Sequence, residues 1–218
     1  ISHMHGDHVL GLPGLIGSMN LLGRKTELKL FGPTALEPWL MENLRLTETH
    51  LNFHMKFRPL EPDASELLIE KERFKLTSFP TRHRIPTHGF RIQEAEHPWR
   101  VNKEAIQEFD LSINEIKTLK SGESVRKGAG EIAAKDAAVP GRTPRSYAYA
   151  ADTRPSDEVI ESVEGVSVLY HEATFQSALA KRAKETGHST AAQAAEVALK
   201  AKVGKLVLGH FSARYRVQ

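Results

Sequence analysis

Residues 3 to 8 read His3-Met4-His5-Gly6-Asp7-His8, placing three imidazoles and a carboxylate within six positions. In a chain with 11 His among 218 residues, such a hexad arises by chance at roughly a few positions per million. In a turn between a strand end and a helix, the alternate residues His3 and His5 can aim at one metal ion. Asp7 and His8, at the start of the following helix, can reach a second ion beside it. Two ions about 3.5–4 Å apart clamp the attacking and leaving oxygens of a displacement and lower the pKa of water between them. The chemistry this spacing suggests is metal-assisted hydrolysis.

Two ions need more ligands than four, and the chain offers them in suitable places. His83 follows a strand expected to end at Phe79, Asp152 follows an apolar run at 146–151, and His210 follows another at 205–208. In open α/β sheets ligands gather at the carboxyl ends of strands. A carboxylate such as Asp152 can bridge two ions, which an imidazole cannot. Taken singly, His83 or His210 would read as a structural or surface histidine.

The elements that must position these groups are visible in the pattern. Leu12, Leu15, Ile16, Met19 and Leu22 follow helical spacing and predict a helix over 9–22, stopped by Gly23. A short strand at 27–31 precedes Gly32-Pro33, and a helix around Trp39, Leu40 and Leu44 tolerates Pro38 only in its first turn. Strands are expected at 53–57, 66–69, 73–79 and 88–92, separated by Pro59, Pro62, Pro80 and Pro86. Apolar runs at 146–151, 166–170 and 205–208 alternate with helical patterns at 155–163, 174–186 and 190–202, an α/β arrangement of buried strands with covering helices. The stretch from Glu94 to Arg145 is polar and short-patterned, and is expected to be a mobile excursion from the core.

Composition bounds the chemistry. With 218 residues, 40% of them hydrophobic, the chain can bury one large core. No Cys is present, which excludes disulfides, thiolate zinc sites, iron–sulfur clusters and a cysteine nucleophile. No apolar run of about 18 residues and no secretion signal occurs, so no membrane partner is expected and the cytoplasm fits. The net charge of +3 permits a polyanionic partner without requiring one.

The hexad, Arg82-His83-Arg84-Ile85-Pro86 with Gly89-Phe90-Arg91-Ile92, Ala151-Asp152-Thr153-Arg154-Pro155 and Gly209-His210-Phe211-Ser212-Ala213-Arg214-Tyr215 together resemble the metallo-β-lactamase superfamily. His171-Glu172-Ala173-Thr174 and His188-Ser189-Thr190 resemble the two signatures that mark its ribonuclease Z branch. The resemblance runs from residue 1 to residue 215. It implies an α/β fold, a metallo-β-lactamase-like αββα sandwich, as a single domain over 1–218 with an inserted arm-like excursion at about 94–145. Relatives have a strand before the hexad and continue past Tyr215, so the fold is expected to be incomplete at both ends.

The resemblance further implies a two-zinc endoribonuclease that removes the 3′ trailer of precursor tRNA by metal-hydroxide attack and leaves a 3′-hydroxyl. His3, His5 and His83 would bind one zinc, His8 and His210 the other, and Asp152 would bridge. Asp7 would touch the second metal and handle the proton of the attacking water. Glu172 would orient His188, which would protonate the leaving oxygen; a carboxylate beside an imidazole favours its protonated form. Without the family, His171 and Glu172 would read as an exposed pair at a strand end. Manganese or iron would fit the same ligands. Arg214 is expected to bind substrate phosphate, and Arg154 either to do so or to be structural. Relatives are homodimers in which the arm of one subunit grips the tRNA held by the other. This chain lacks the Gly-Pro pair expected before Leu119, but its 117–145 segment carries seven Lys/Arg against three Asp/Glu, which keeps a phosphate-binding role. The alternatives are another hydrolase of the fold, acting on other phosphodiesters or on thioesters as glyoxalase II does, and a non-catalytic RNA-binding relative.

Overall fold

The computed structural model describes residues 1–128 and 130–215. In chain order, α1 (Gly6–Val9) and α2 (Leu12–Leu21) lead to β1 (Leu28–Gly32), α3 (Leu36–Leu46) and β2 (Met55–Pro59). Three strands follow, β3 (Glu66–Lys71), β4 (Phe74–Thr81) and β5 (Thr87–Glu94). Then come β6 (Arg100–Val101), α4 (Lys103–Glu108), α5 (Ile113–Lys120), β7 (Val125–Lys127), β8 (Gly130–Ile132), α6 (Ala134–Ala137) and β9 (Ala138–Val139). The last elements are β10 (Ser146–Ala150), α7 (Asp157–Ser162), β11 (Val168–Glu172), α8 (Ala180–Thr186), α9 (Ala191–Lys200) and β12 (Leu206–Gly209). They form two compact units. One comprises Ile1–Lys71, Lys75–Gln93 and the chain from Ser146 onward; the other comprises Glu72–Phe74 and Glu94–Arg145.

The first unit is built on a six-stranded sheet of order β12-β11-β10-β5-β4-β3. β10, β11 and β12 run parallel, with Tyr147 opposite Val168 and Leu169 opposite Leu206, and β5 is antiparallel to β10. Parallel strands need crossovers, which α7 and the α8–α9 stretch supply. Ser146, Ala148 and Ala150 point from β10 to one buried face, and Ala148 and Ala150 join Val159, Val163, Leu169, Val197 and Ala198 in the core. Small residues on the strand let the helices come close. Ser156 Oγ accepts from Val159 N to start α7, and Thr190 with Gln193 forms a capping box that starts α9. A second, two-stranded parallel sheet pairs β1 with β2. Its core joins Leu30 to Val9, Leu12 and Ile16 from the first helices and to Leu36, Leu40 and Leu44 from α3. The sandwich thus has two sheets, each with its own helices, and the second has only two strands among the described residues.

The expected helix over 9–22 is two helices, because the chain turns at Leu10 and Gly11; the first already contains Asp7 and His8. Pro38 is the third residue of α3, where its missing N–H costs nothing. The helix expected over 174–186 starts later: Phe175 makes a β-bridge to Thr190, and 177–179 form a single 3₁₀ turn before α8.

The second unit includes the stretch expected as a mobile excursion at 94–145. It has an apolar core of its own, with Leu119 and Ala137 fully buried beside Ala105, Leu111, Val125, Ile132 and Ala134. Apart from Leu111, which lies between α4 and α5, these residues are spread over elements of three to eight residues, too short for periodicity to expose. α5 opens on a capping box in which Ser112 Oγ accepts from Glu115 N and the Glu115 carboxylate accepts from Ser112 N. At its base Glu94 pairs with Arg142 and Arg145.

Candidate metal centre

The chain reaches the centre from five places, four of them the ends of strands. Ser2 O accepts from His88 N of β5 (3.0 Å), which ties the hexad to the large sheet. His5 is the extended N-cap of α1, so His3 and His5 precede the helix while Asp7 and His8 lie on its first turn. His83 follows β4, Asp152 follows β10, Glu172 ends β11 and His210 follows β12. Asp152 and His210 both hold positive φ, 43° and 56°, an unfavourable backbone for side chains with a Cβ that clusters at functional sites.

Around the Asp152 carboxylate the side chains fall into two groups. His3 Nε2 lies 3.3 Å and His83 Nε2 3.7 Å from Oδ2, and His5 Nδ1 lies 3.0 Å from His3 Nε2 and 3.2 Å from His83 Nε2. On the other side, His8 Nε2 is 3.3 Å and His210 Nε2 3.2 Å from Oδ1, and 3.4 Å from each other. Asp7 Oδ2 completes this group at 3.5 Å from His8 and 3.4 Å from His210. Four donors about 2.0–2.1 Å from a tetrahedral zinc stand about 3.3–3.4 Å from one another. Both groups match that spacing. Asp152 Oδ1 is buried and accepts no hydrogen bond although two imidazole nitrogens are this near, so these side chains converge on a shared point. A buried carboxylate oxygen without a hydrogen bond, facing two imidazole nitrogens, is what a cation site leaves when only protein atoms are considered.

The charge states of His83, His5 and Asp152 agree with that reading. Burial pushes His83 down to about 4, and burial with the neighbouring His3 and Arg84 lowers His5, so both favour the neutral form that binds metals. Burial alone would raise Asp152, but the His3 and His8 imidazoles outweigh it and hold the carboxyl well below its usual range. Asp152 in turn raises His8.

Outside these donors sits a layer that fixes ring orientation. Ser2 Oγ lies 3.1 Å from His3 Nδ1, and Thr174 Oγ1 lies 2.9 Å from His210 Nδ1. His83 Nδ1 donates to Gly187 O at 2.8 Å. In each ring the bonded nitrogen is the one facing away from the centre, which leaves Nε2 free as a ligand atom. Gly187 ends α8 with φ 74°, and a Cβ there would meet His83 Nδ1 at 2.9 Å; glycine is required for the turn and for the approach.

Beside the donors, His188 Nδ1 donates to Glu172 Oε1 at 2.8 Å. Glu172 is fully buried, and Oε1 also accepts from Thr153 N while Oε2 accepts from Thr174 N and Oγ1. Burial would raise this carboxyl, but the bonds from His188 and Thr174 hold it below its ordinary value. The pair is therefore an ionised carboxylate locking an imidazole, and the exposed strand-end pair expected without the family is not found; His171 is fully buried too. His188 stacks on His210 with centroids 5.6 Å apart and lies 4.8 Å from His83.

The seven residues expected in the site by type and spacing are thus brought together, as are Glu172 and His188, which the resemblance implies. Arg214 lies over the Phe175 ring at 5.1 Å and donates from Nε to Ser212 Oγ at 3.0 Å, and Arg154 is exposed. Ser2, Thr153, Thr174 and Gly187 were not singled out from the sequence; Thr174 stood inside a recognised motif, and Ser2 beside a ligand.

No family model matches the chain. It is 42% identical over 212 residues to the ribonuclease Z of Cytophaga hutchinsonii, an alignment covering 96% of this chain and 67% of that protein. It is 39% identical over 216 residues to the ribonuclease Z of Parabacteroides distasonis, covering 99% and 71%. Among solved structures it is similar to the short form of human tRNase Z, with TM-score 0.68 and 27% identity over 99% of this chain and 72% of that one. A metallo-β-lactamase fold protein of Bacillus subtilis, at TM-score 0.57 and 18% identity over 99% and 65%, shares the fold.

Proposed function

The chain belongs to the ribonuclease Z family, and on that premise we propose that it is a metal-dependent endoribonuclease removing the 3′ trailer from precursor tRNA. The observation that carries the reading is the Glu172–His188 pair, at 2.8 Å, set against a seven-residue donor cluster centred on Asp152.

His3, His5 and His83 would hold one ion, His8, His210 and Asp7 a second, and Asp152 would serve both. Two zinc ions are proposed, manganese or iron fitting the same nitrogen and oxygen donors. When bound, such ions lower the pKa of water between them and neutralise charge developing on a phosphate. The remaining work falls to the chain. Asp7, the most exposed of the donors, takes the proton of the attacking water. Glu172 accepts from His188 Nδ1 and so orients the ring, and the doubly protonated imidazole then presents at Nε2 the proton given to the departing 3′-oxygen. The products are a mature 3′-hydroxyl and a trailer bearing a 5′-phosphate. The thioesterase reading gains nothing from this pair, because a thiolate leaves without needing a proton donor, whereas a ribose oxygen does not.

We place the reaction in the cytoplasm, where precursor tRNA is processed; among the described residues no helix is long and apolar enough to cross a membrane. We also propose a single catalytic domain with 94–145 as an inserted arm for the tRNA body. Lys117, Lys120, Arg126 and Lys135 of that unit form no ion pair among the described residues, unlike Lys127, Arg142 and Arg145. A homodimer is proposed from the apolar surface of Leu10, Leu15, Leu21 and Leu22, each more than half exposed.

The test is substitution at His188 and Asp7. His188→Ala should lower trailer removal about 10²–10⁴-fold while metal content, read by elemental analysis, stays at two ions per chain. Asp7→Ala should abolish turnover. Unchanged cleavage by His188→Ala would sink the assigned role.

A further inference from the structure

A concave pocket of about 510 Å³ lies in the first unit with His188 in its wall. Its other polar walls come from Arg154, Lys181, Lys184 and Gln193, and no carboxylate lines it. The two lysines stand three apart on α8, hence on one face. Arg182, on another face, is neutralised by Glu185 at 3.7 Å. Arg154, Lys181 and Lys184 are exposed, and their side chains make no ion pair or hydrogen bond among the described residues. Arg154 is nevertheless held by its backbone, whose N–H donates to Arg82 O at 2.9 Å. Gln193 spends its side-chain oxygen on Thr190 N. Three cations with no acidic neighbour in the wall make a site for anionic groups, and it shares an imidazole with the reaction centre.

The direction of the reaction says which anion. In the proposed hydrolysis the water oxygen bonds to phosphorus and the bond from phosphorus to the 3′-oxygen breaks. The phosphate stays with the trailer, and the departing 3′-oxygen takes the His188 proton. The imidazole that delivers this proton faces the nucleotide retained by the tRNA. The pocket wall contains His188 and none of the proposed metal donors, so a retained strand leaving the imidazole on that side would enter it.

We propose that Arg154, Lys181 and Lys184 form a phosphate subsite for the retained strand, holding the phosphodiester immediately 5′ of the last nucleotide kept. This rests on the role assigned to His188. The subsite would position the end of the acceptor strand so that its 3′-oxygen meets His188, and its wall includes none of the proposed metal donors.

The experiment uses the complete protein and two substrates, precursor tRNA and bis(p-nitrophenyl) phosphate, which has no neighbouring phosphate. Lys181→Ala with Lys184→Ala should lower kcat/KM for precursor tRNA about tenfold more than for the small diester. The log–log salt dependence should flatten by about 0.7 for each phosphate the variant no longer neutralises. Lys184→Arg should restore most of the activity. Precursor tRNA carrying a neutral methylphosphonate one position 5′ of the cut should be a poorer substrate for the parent enzyme, and no poorer again for the double variant. Equal reductions on both substrates would overturn the subsite, as would precursor tRNA kinetics unaffected by the lysine changes. Coupling to a methylphosphonate on the trailer instead would also overturn it. A parent enzyme that cleaves the small diester but not precursor tRNA would instead refute the underlying function.

Discussion

Asp152 is one carboxylate shared by two donor groups, and the residues behind those donors decide how well they are aimed. Thr174 Oγ1 lies 2.7 Å from Glu172 Oε2, 2.9 Å from His210 Nδ1 and 3.3 Å from His188 Nδ1, so one hydroxyl links the proposed metal donors to the proposed proton donor. Thr174→Val keeps the shape and removes these bonds. It should weaken metal binding about 10–100-fold, read by competition with a chelator, while Thr174→Ser stays near the parent. The donors themselves were legible from the sequence because imidazoles and carboxylates at short spacing or after strand ends are uncommon. Ser2, Thr153 and the Gly187 carbonyl were not. Hydroxyls and peptide groups occur everywhere, and only tertiary approach across as many as 104 residues, as between His83 and Gly187, gives them a role.

At the scale of elements, parallel strands with covering helices could be read from β10 onward because each apolar run is bounded by polar turns. The second unit could not, since its core is shared among short pieces, and its stability depends on local polar interactions as well. Bonds from Ser112, the nearest donors, and then the Lys127 ammonium hold Glu115 down to about 2. A carboxyl whose folded pKa is depressed contributes stability above its unfolded pKa of about 4.3, and that contribution is lost as pH falls toward about 2. Glu115→Ala should therefore melt below the parent at pH 7, with the gap in Tm narrowing between about pH 4.3 and pH 2. A gap independent of pH would show that the carboxylate charge is not involved.

For the whole molecule, the path of the chain between the two units matters most. It leaves the large sheet at the end of β5 and re-enters at β10, where Gln93 is paired with Ser146, and Glu94 N donates to Arg145 O at 2.9 Å. The ends of the 94–145 segment are thus antiparallel neighbours. Replacing 95–144 by a two-residue Asn-Gly turn should leave a folded chain that loads metal and hydrolyses a small diester but has little remaining affinity for precursor tRNA, measured by filter binding. Loss of metal along with the segment would contradict this. The same closure has a consequence over longer times. Because the two chain ends meet in register, the inserted segment can lengthen, shrink or be exchanged without shifting the β5–β10 pairing at its ends. On the roles proposed above, the large sheet and the inserted segment can therefore diverge at different rates, the first constrained by its seven proposed metal donors and the second free to follow changes in the RNA it would hold.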